Sequence, residues 1–292
     1  MKRPLTLASL LLACQLAAAR QPAPVEPPTG MTGNPAEQER PPRTVRAQVA
    51  ADREPALTVN EPMYFVVGGK DGDPDTTARF QLSLKYRIFD REGDLARRLP
   101  FLRGLHFGYT QTSLWNLSAD SAPFDDTSYR PSFFWEWGDM VETGRFGGFV
   151  RFGYEHESNG QGGAESRSID TLFVMPAFSM DLFDRELLFT PKLYTYVAKG
   201  EYNEDIEDYR GYADLILRYG NDDSWVVQAL YRQGTEGHRS GQIDLSIPLR
   251  RRIFARTGAY VYFQAFKGYG ESLAAYNQES ELGARIGIAF VR

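Results

Sequence analysis

The sequence predicts an all-β chain, a transmembrane antiparallel β-barrel of about 12 strands. Three observations lead there. Several segments alternate apolar and polar residues with a period of two over about 9–12 residues, the span of a tilted membrane strand. Arg and Lys fall in the middle of these segments, opposite the apolar face, which suits a watery or hydrogen-bonded lumen better than a solid core. Aromatic residues gather near strand ends, among them Tyr109, Trp115, Trp135, Trp137, Tyr260 and Tyr262, as interfacial girdles require. Composition alone points elsewhere: 292 residues, a net charge of −5 and a mean hydropathy of −0.42 read as water-soluble. A membrane strand is half polar, so that average misleads. A soluble β-sandwich or barrel is the competing architecture.

Composition also excludes classes. One Cys rules out a disulfide framework and a Cys-rich zinc site, and three His argue against a multi-His metal site. The mild acidity argues against a nucleic-acid partner. Beyond the N-terminus no run of about 18 apolar residues supplies a membrane helix.

Element by element, residues 1–19 read as a signal peptide. Lys2 and Arg3 precede an apolar stretch, Leu5–Leu16, and Ala17-Ala18-Ala19 offers a small-residue cleavage site. Leu11-Leu12-Ala13-Cys14 also resembles a lipoprotein box, which would place a lipid on Cys14. Residues 20–62 are rich in Pro (Pro22, Pro24, Pro27, Pro28, Pro35, Pro41, Pro42, Pro55) and poor in large apolar side chains, and read as a flexible tether of about 40 residues. The barrel occupies 63–292. In Arg79–Phe89, Phe80, Leu82, Leu84, Tyr86 and Ile88 share one face against Gln81, Ser83, Lys85 and Arg87. Gly241–Leu249 and the segment from Glu281 repeat the pattern. Less regular strands begin near Met63, Gly104, Tyr129, Phe146, Ser168, Leu187, Tyr209, Trp225 and Gly258. Polar joints separate them, such as Asp71-Gly72-Asp73-Pro74 and Gly220-Asn221-Asp222-Asp223. Asp125-Asp126 reads as loop.

One constellation falls on the oily face. Phe146, Val150, Phe152 and Tyr154 share a parity that His156 and Ser158 continue. Residues i and i+2 of a strand lie about 7 Å apart on the same face. On the next strand Asp170 shares parity with Leu172, Val174 and Phe178. Strands lie about 4.8 Å apart, so Asp170 reaches the other nitrogen of His156. That is the nucleophile, base and orienter of a serine hydrolase. The Gly160 N–H, in the loop Asn159-Gly160-Gln161-Gly162-Gly163, is a candidate oxyanion donor. A plainer reading stands beside it: His156 and Ser158 as a solvated polar strand end. His106, on the inward parity, and His238, in a turn, read as structural.

The sequence resembles the outer membrane phospholipase A family. The resemblance rests on Tyr154-Glu155-His156-Glu157-Ser158-Asn159-Gly160 followed by Ser166-Arg167-Ser168, and on Tyr109-Thr110-Gln111 with Ser113, Trp115, Leu117-Ser118, Ser121, Pro123, Phe124, Tyr129 and Pro131. Phe80-Gln81-Leu82-Ser83-Leu84 and Gly268-Tyr269-Gly270-Glu271-Ser272-Leu273 with Tyr276-Asn277 complete it, in the same order. The resemblance implies a twelve-stranded barrel in the outer membrane of a Gram-negative bacterium. It implies calcium-dependent hydrolysis of phospholipid and lysophospholipid acyl esters, at either glycerol position, by a homodimer with its site on the outer wall. Carried over by motif, Ser158 is the nucleophile and His156 the base, while Asp170 stands where the family commonly has Asn. The matching calcium positions are Ser121 from one subunit with Gln161 and Ser166 from the other; Gln161 replaces a common Arg. Gln111 matches a polar residue of the dimer interface. The acidic stretch Glu201, Glu204, Asp205, Glu207 and Asp208 is either a second calcium site or, more simply, a solvated loop. Two other functions remain open: an outer-membrane channel or structural barrel with a vestigial site, and a soluble esterase on a β-sandwich.

Overall fold

The computed structural model describes residues 55–138, 147–249 and 258–292. The signal segment 1–19 with Cys14, the tether as far as residue 54, and Phe146 lie outside the described residues. The strands are β1 (Leu57–Val59), β2 (Met63–Lys70), β3 (Thr77–Arg87), β4 (Leu105–Asn116), β5 (Phe124–Gly138), β6 (Gly147–Ser158), β7 (Ser168–Leu182), β8 (Arg185–Lys199), β9 (Ala213–Gly220), β10 (Val226–Gln233), β11 (Arg239–Pro248), β12 (Tyr260–Tyr269) and β13 (Glu279–Val291). From β2 to β13 each strand pairs with its neighbour in sequence, and β13 returns to pair antiparallel with β2. The result is a closed 12-stranded ring, not a two-sheet sandwich. Closure gives every strand from β2 to β13 a partner on both sides, as a sheet in hydrocarbon requires.

Parity decides which face each residue takes. On β3, Leu82, Leu84 and Tyr86 are exposed while Gln81 and Ser83 are buried. On β13, Leu282, Ile286, Ile288 and Phe290 are exposed and Arg285 is buried. The outside is therefore apolar and the inside polar, the reverse of a water-soluble fold. The lumen is cross-linked by ion pairs. Glu136 receives Lys85 (2.9 Å) and Arg151 (2.5 Å), Lys192 pairs with Glu155 (2.7 Å), Arg210 with Glu157 (3.0 Å) and Arg285 with Glu271 (2.6 Å). Arg232 meets both oxygens of Asp214, each at 2.7 Å. Around these pairs lies a cavity of about 820 Å³.

Three boundaries differ from the sequence reading. The tether does not extend to residue 62. β1 continues the line of β2, since both pair with β3, through Tyr86–Leu84 and through Gln81–Thr77 respectively. Between them Asn60 accepts from Arg151 Nη1 (2.9 Å) and Glu61 pairs with Arg130 (2.6 Å). A three-residue strand is too short to show alternation, so the Pro-rich composition dominated the reading there. Next, β5 begins at Phe124 rather than Tyr129, which puts Asp125-Asp126 in a strand, not a loop; Asp126 is buried and accepts the Ala274 N–H (2.8 Å). Finally, β9 begins at Ala213, and Tyr209 lies in a short helical turn, Glu207–Arg210.

The loops after β6, β8 and β12 lie at one end of the barrel and pack on each other. Ile206, Leu273 and Tyr276 are buried with Ile169, and Tyr196 and Tyr209 pack against them. The Tyr276 hydroxyl donates to Asp205 (2.5 Å). Burial, and then that hydrogen bond, raise the Tyr276 phenol above the ordinary tyrosine range, so it keeps its proton and acts as a donor. At the same end burial pushes the Glu271 carboxyl up, but Arg285, Arg79 and Lys70 outweigh it and hold the group at about 2.

Glu136→Ala strands Lys85 and Arg151 inside the lumen. Reversible urea unfolding in detergent micelles should show a loss of about 3 kcal/mol. Glu281→Ala, which removes the exposed partner of Lys267, should cost under about 1 kcal/mol.

Candidate active site

The β6–β7 hairpin builds the site. Its register sets His156 opposite Asp170, Ser158 opposite Ser168 and Tyr154 opposite Leu172. The two-residue period turns Tyr154, His156 and Ser158 outward and sends Glu155 and Glu157 into the lumen. His156 Nδ1 donates to Asp170 Oδ1 at 2.8 Å, with both side chains part-buried. That bond fixes the ring and leaves Nε2 free to accept a proton. The lumen ion pairs of Glu155 and Glu157, and the Ser128 Oγ–H bond to Glu157 (2.7 Å), hold the same strand from behind.

Ser158 is the last residue of β6. Its Oγ accepts the Gly160 N–H at 3.1 Å, and no hydrogen bond to His156 is made among the described residues. Gly160 adopts φ +70°, and a Cβ there would lie 3.0 Å from the Tyr129 ring, so both backbone and space call for glycine. The amide chosen from sequence as oxyanion donor thus already points at the Ser158 oxygen.

The surrounding ladder is irregular at this point. Pro131 of β5 lies opposite His156 and has no N–H to give; the β5–β6 pairing runs from Tyr129–Ser158 to Ser132–Glu155 with a gap between. On the other side β8 carries an extra residue where Asp170 pairs with Ala198 and Thr171 with Tyr196. Such a bulge turns a side chain relative to the regular pleat.

The loop 159–167 is tied around Asn159, which is buried. Its Oδ1 accepts the N–H groups of Gln161 (3.3 Å) and Arg167 (2.9 Å), and its Nδ2 donates to the Glu165 carbonyl (2.8 Å). Gln161 and Ser166 sit on this loop. The Ser166 carbonyl accepts from Arg167 Nη1 (2.9 Å). Ser121 lies in a separate turn, in the left-handed region at φ +64°, and no described hydrogen bond joins it to Gln161 or Ser166. Gln111 is outward on β4, opposite Tyr129, which in turn faces Ser158; it accepts from Tyr109 Oη (3.1 Å). One strand line therefore joins Gln111 to Ser158 across the outer wall.

The remaining candidates separate from this site. In the acidic stretch, Glu207 pairs with Lys199, Asp205 accepts from Tyr276 and Asp208 from Thr235. No group of three or more His, Cys, Asp or Glu suited to a metal occurs among the described residues. His106 is buried, with Nδ1 2.8 Å from the Gly104 carbonyl. His238 stacks on Tyr209, with ring centres 4.3 Å apart. Sequence reasoning assigned no role to Tyr154, whose hydroxyl donates to Asp170 Oδ1, nor to Asn159, Glu157 or Arg210. Parity hints at Tyr154 and Glu157. Nothing short of the folded loops signals Arg210.

A family model described as Phospholipase A1 matches residues 58–291. The phospholipase A1 of Escherichia coli (strain K12) is 30% identical over 205 residues, which cover 68% of this chain and 64% of that one. A relative from Neisseria meningitidis serogroup B is 32% identical over 197 residues, covering 64% of this chain and 48% of its own. The chain thus matches about half to two-thirds of the length of these relatives. Among solved structures, the Salmonella typhi outer membrane phospholipase, described as a dimer with bound calcium, superimposes with a TM-score of 0.70 at 23% identity. That match covers 85% of this chain and 97% of the other, and at such identity it speaks to the fold.

Asn159→Ala removes three hydrogen bonds from the loop that carries Gly160. Amide hydrogen exchange at Gln161 and Arg167 should accelerate about 10- to 100-fold. Exchange at Phe173, in the middle of β7, should not change.

Proposed function

We propose, for a chain that belongs to the phospholipase A1 family and forms an outer-membrane β-barrel, that it hydrolyses acyl esters of phospholipids on its outer wall. The observation that carries this reading is the His156–Asp170 bond beside Ser158 on the apolar face, with the Gly160 N–H on the Ser158 oxygen. A soluble substrate would have no reason to be met there. A membrane lipid reaches that face without leaving the bilayer.

In the proposed reaction Ser158 Oγ attacks the ester carbonyl while His156 Nε2 takes its proton. Asp170 holds the Nδ1–H and stabilises the imidazolium. As the carbonyl becomes tetrahedral, the Gly160 N–H shifts from Ser158 Oγ to the developing oxyanion. His156 then delivers its proton to the departing glyceryl oxygen. A water, activated by the same imidazole, releases the fatty acid and restores Ser158. Phospholipids and lysophospholipids, at either glycerol position, are the substrates of this reading.

Calcium belongs to the same proposal. Ser121 of one subunit with Gln161 and Ser166 of the other offer only oxygen donors, the right chemistry for calcium, but no carboxylate among them. The Ser166 carbonyl already accepts from Arg167, which leaves it one lone pair for the ion. These residues therefore fit a weak site that needs both copies, and the bound ion would supply positive charge near the oxyanion. The Salmonella typhi structure, a dimer with bound calcium, supports that reading.

Full-length protein folded into micelles, with phosphatidylcholine and calcium, should release fatty acid. Ser158→Ala should lower the rate at least about 1,000-fold, and a chelator should abolish most of it. Full activity in the alanine variant overturns the assignment. Asp170→Asn should keep substantial activity and Asp170→Ala much less; equal rates in all three forms would remove Asp170 from its role.

A further inference from the structure

We propose that Tyr154 is a positioning residue of this site, acting on His156 through Asp170. The proposal rests on the phospholipase reading above and adds a residue to it. Asp170 Oδ1 receives two donors, Tyr154 Oη and His156 Nδ1, and both come from β6. In register, Asp170 stands opposite His156, and Tyr154 lies two residues earlier on the same outward face. The carboxylate is therefore anchored at two points to the strand that carries the base and the nucleophile.

The chemistry explains why such an anchor is wanted. A carboxylate on a lipid-facing wall is costly unless hydrogen-bonded. With His156 as its one donor, the Asp170 side chain would be free to turn about χ1 and χ2 towards the watery end of the strand. The extra residue of β8 opposite Asp170–Thr171 already interrupts the regular pleat on that side. The Tyr154 hydroxyl restrains the rotation, because a second bond to Oδ1 holds it where the imidazole N–H meets it. Tyr154 is itself exposed, as a girdle residue would be, so its ring serves the interface and its hydroxyl serves the site. The hydroxyl keeps its proton throughout and makes no contact with the reacting atoms. An amide at position 170 carries no charge to be satisfied, so the restraint matters most for the Asp170 of this chain.

The test uses full-length protein in micelles with phosphatidylcholine and calcium. Tyr154→Phe keeps the ring and deletes the hydroxyl. It should lower kcat about tenfold, the effect of one hydrogen bond to a charged group, with little change in KM. In an Asp170→Ala background the same change should have no further effect. The rate at which a sulfonyl fluoride labels Ser158, which needs no lipid substrate, should fall in parallel with kcat. Heat-modifiable mobility in gels reports folding of each variant, and Tyr154→Leu replaces the Phe form if that fails to fold. A Tyr154→Phe rate within about twofold of the parent, or an equal loss in both backgrounds, overturns the proposal. Ser158→Ala separates the two levels. If it abolishes activity while Tyr154→Phe does nothing, only the positioning role falls; if it leaves activity intact, the underlying reading falls as well.

Discussion

The rest of the structure depends on closure of the sheet. In hydrocarbon no water satisfies an unpaired strand edge, so β13 must find β2 and the ring must carry a fixed stagger. Within that ring the β6–β7 register brings His156 and Asp170 face to face and leaves Ser158 at the last rung. In a soluble enzyme a packed core would hold these groups. Here little apolar core exists, and the register of a hydrogen-bond ladder performs the task.

The ladder is stiffened from within. Glu155 and Glu157, which flank His156 in sequence, point the opposite way and engage Lys192 and Arg210. Arg210 comes from the loop after β8, so the capped end of the barrel is tied to the back of the same strand. Asn60 and Glu61 add a second tie from the N-terminal break, through Arg151 of β6 and Arg130 of β5. The outward residues of β6, Tyr154, His156 and Ser158, thus each have an inward neighbour held by charge.

Much of this was legible in the sequence, and the reason is period two. Parity alone assigned Leu82 and Ile286 to lipid, Ser83 and Arg285 to the lumen, and His156, Ser158 and Asp170 to one outer face. What escaped was whatever does not alternate. β1 is three residues long and sits in Pro-rich sequence. Asp125-Asp126 looks like a loop until the lumen partner of Asp126, the Ala274 N–H, is known, and that partner is 148 residues away. Tyr154 has the face of a girdle residue, and only the register reveals what its hydroxyl touches. The bulge at Asp170 leaves no mark in composition or spacing.

The outward position of Ser158 also changes what concentration means for this protein. On the proposed reading, a group on the outer wall samples a two-dimensional solution, the leaflet, so the quantity it would respond to is the mole fraction of suitable lipid in the membrane. Adding buffer to a suspension of vesicles leaves that fraction untouched; adding an inert lipid lowers it. The barrel is permanently dissolved in its surroundings, and encounter needs no docking step from water. If the proposed activity holds, control over such a site would come from which lipids reach the wall, or from what covers it, rather than from the supply of a solute.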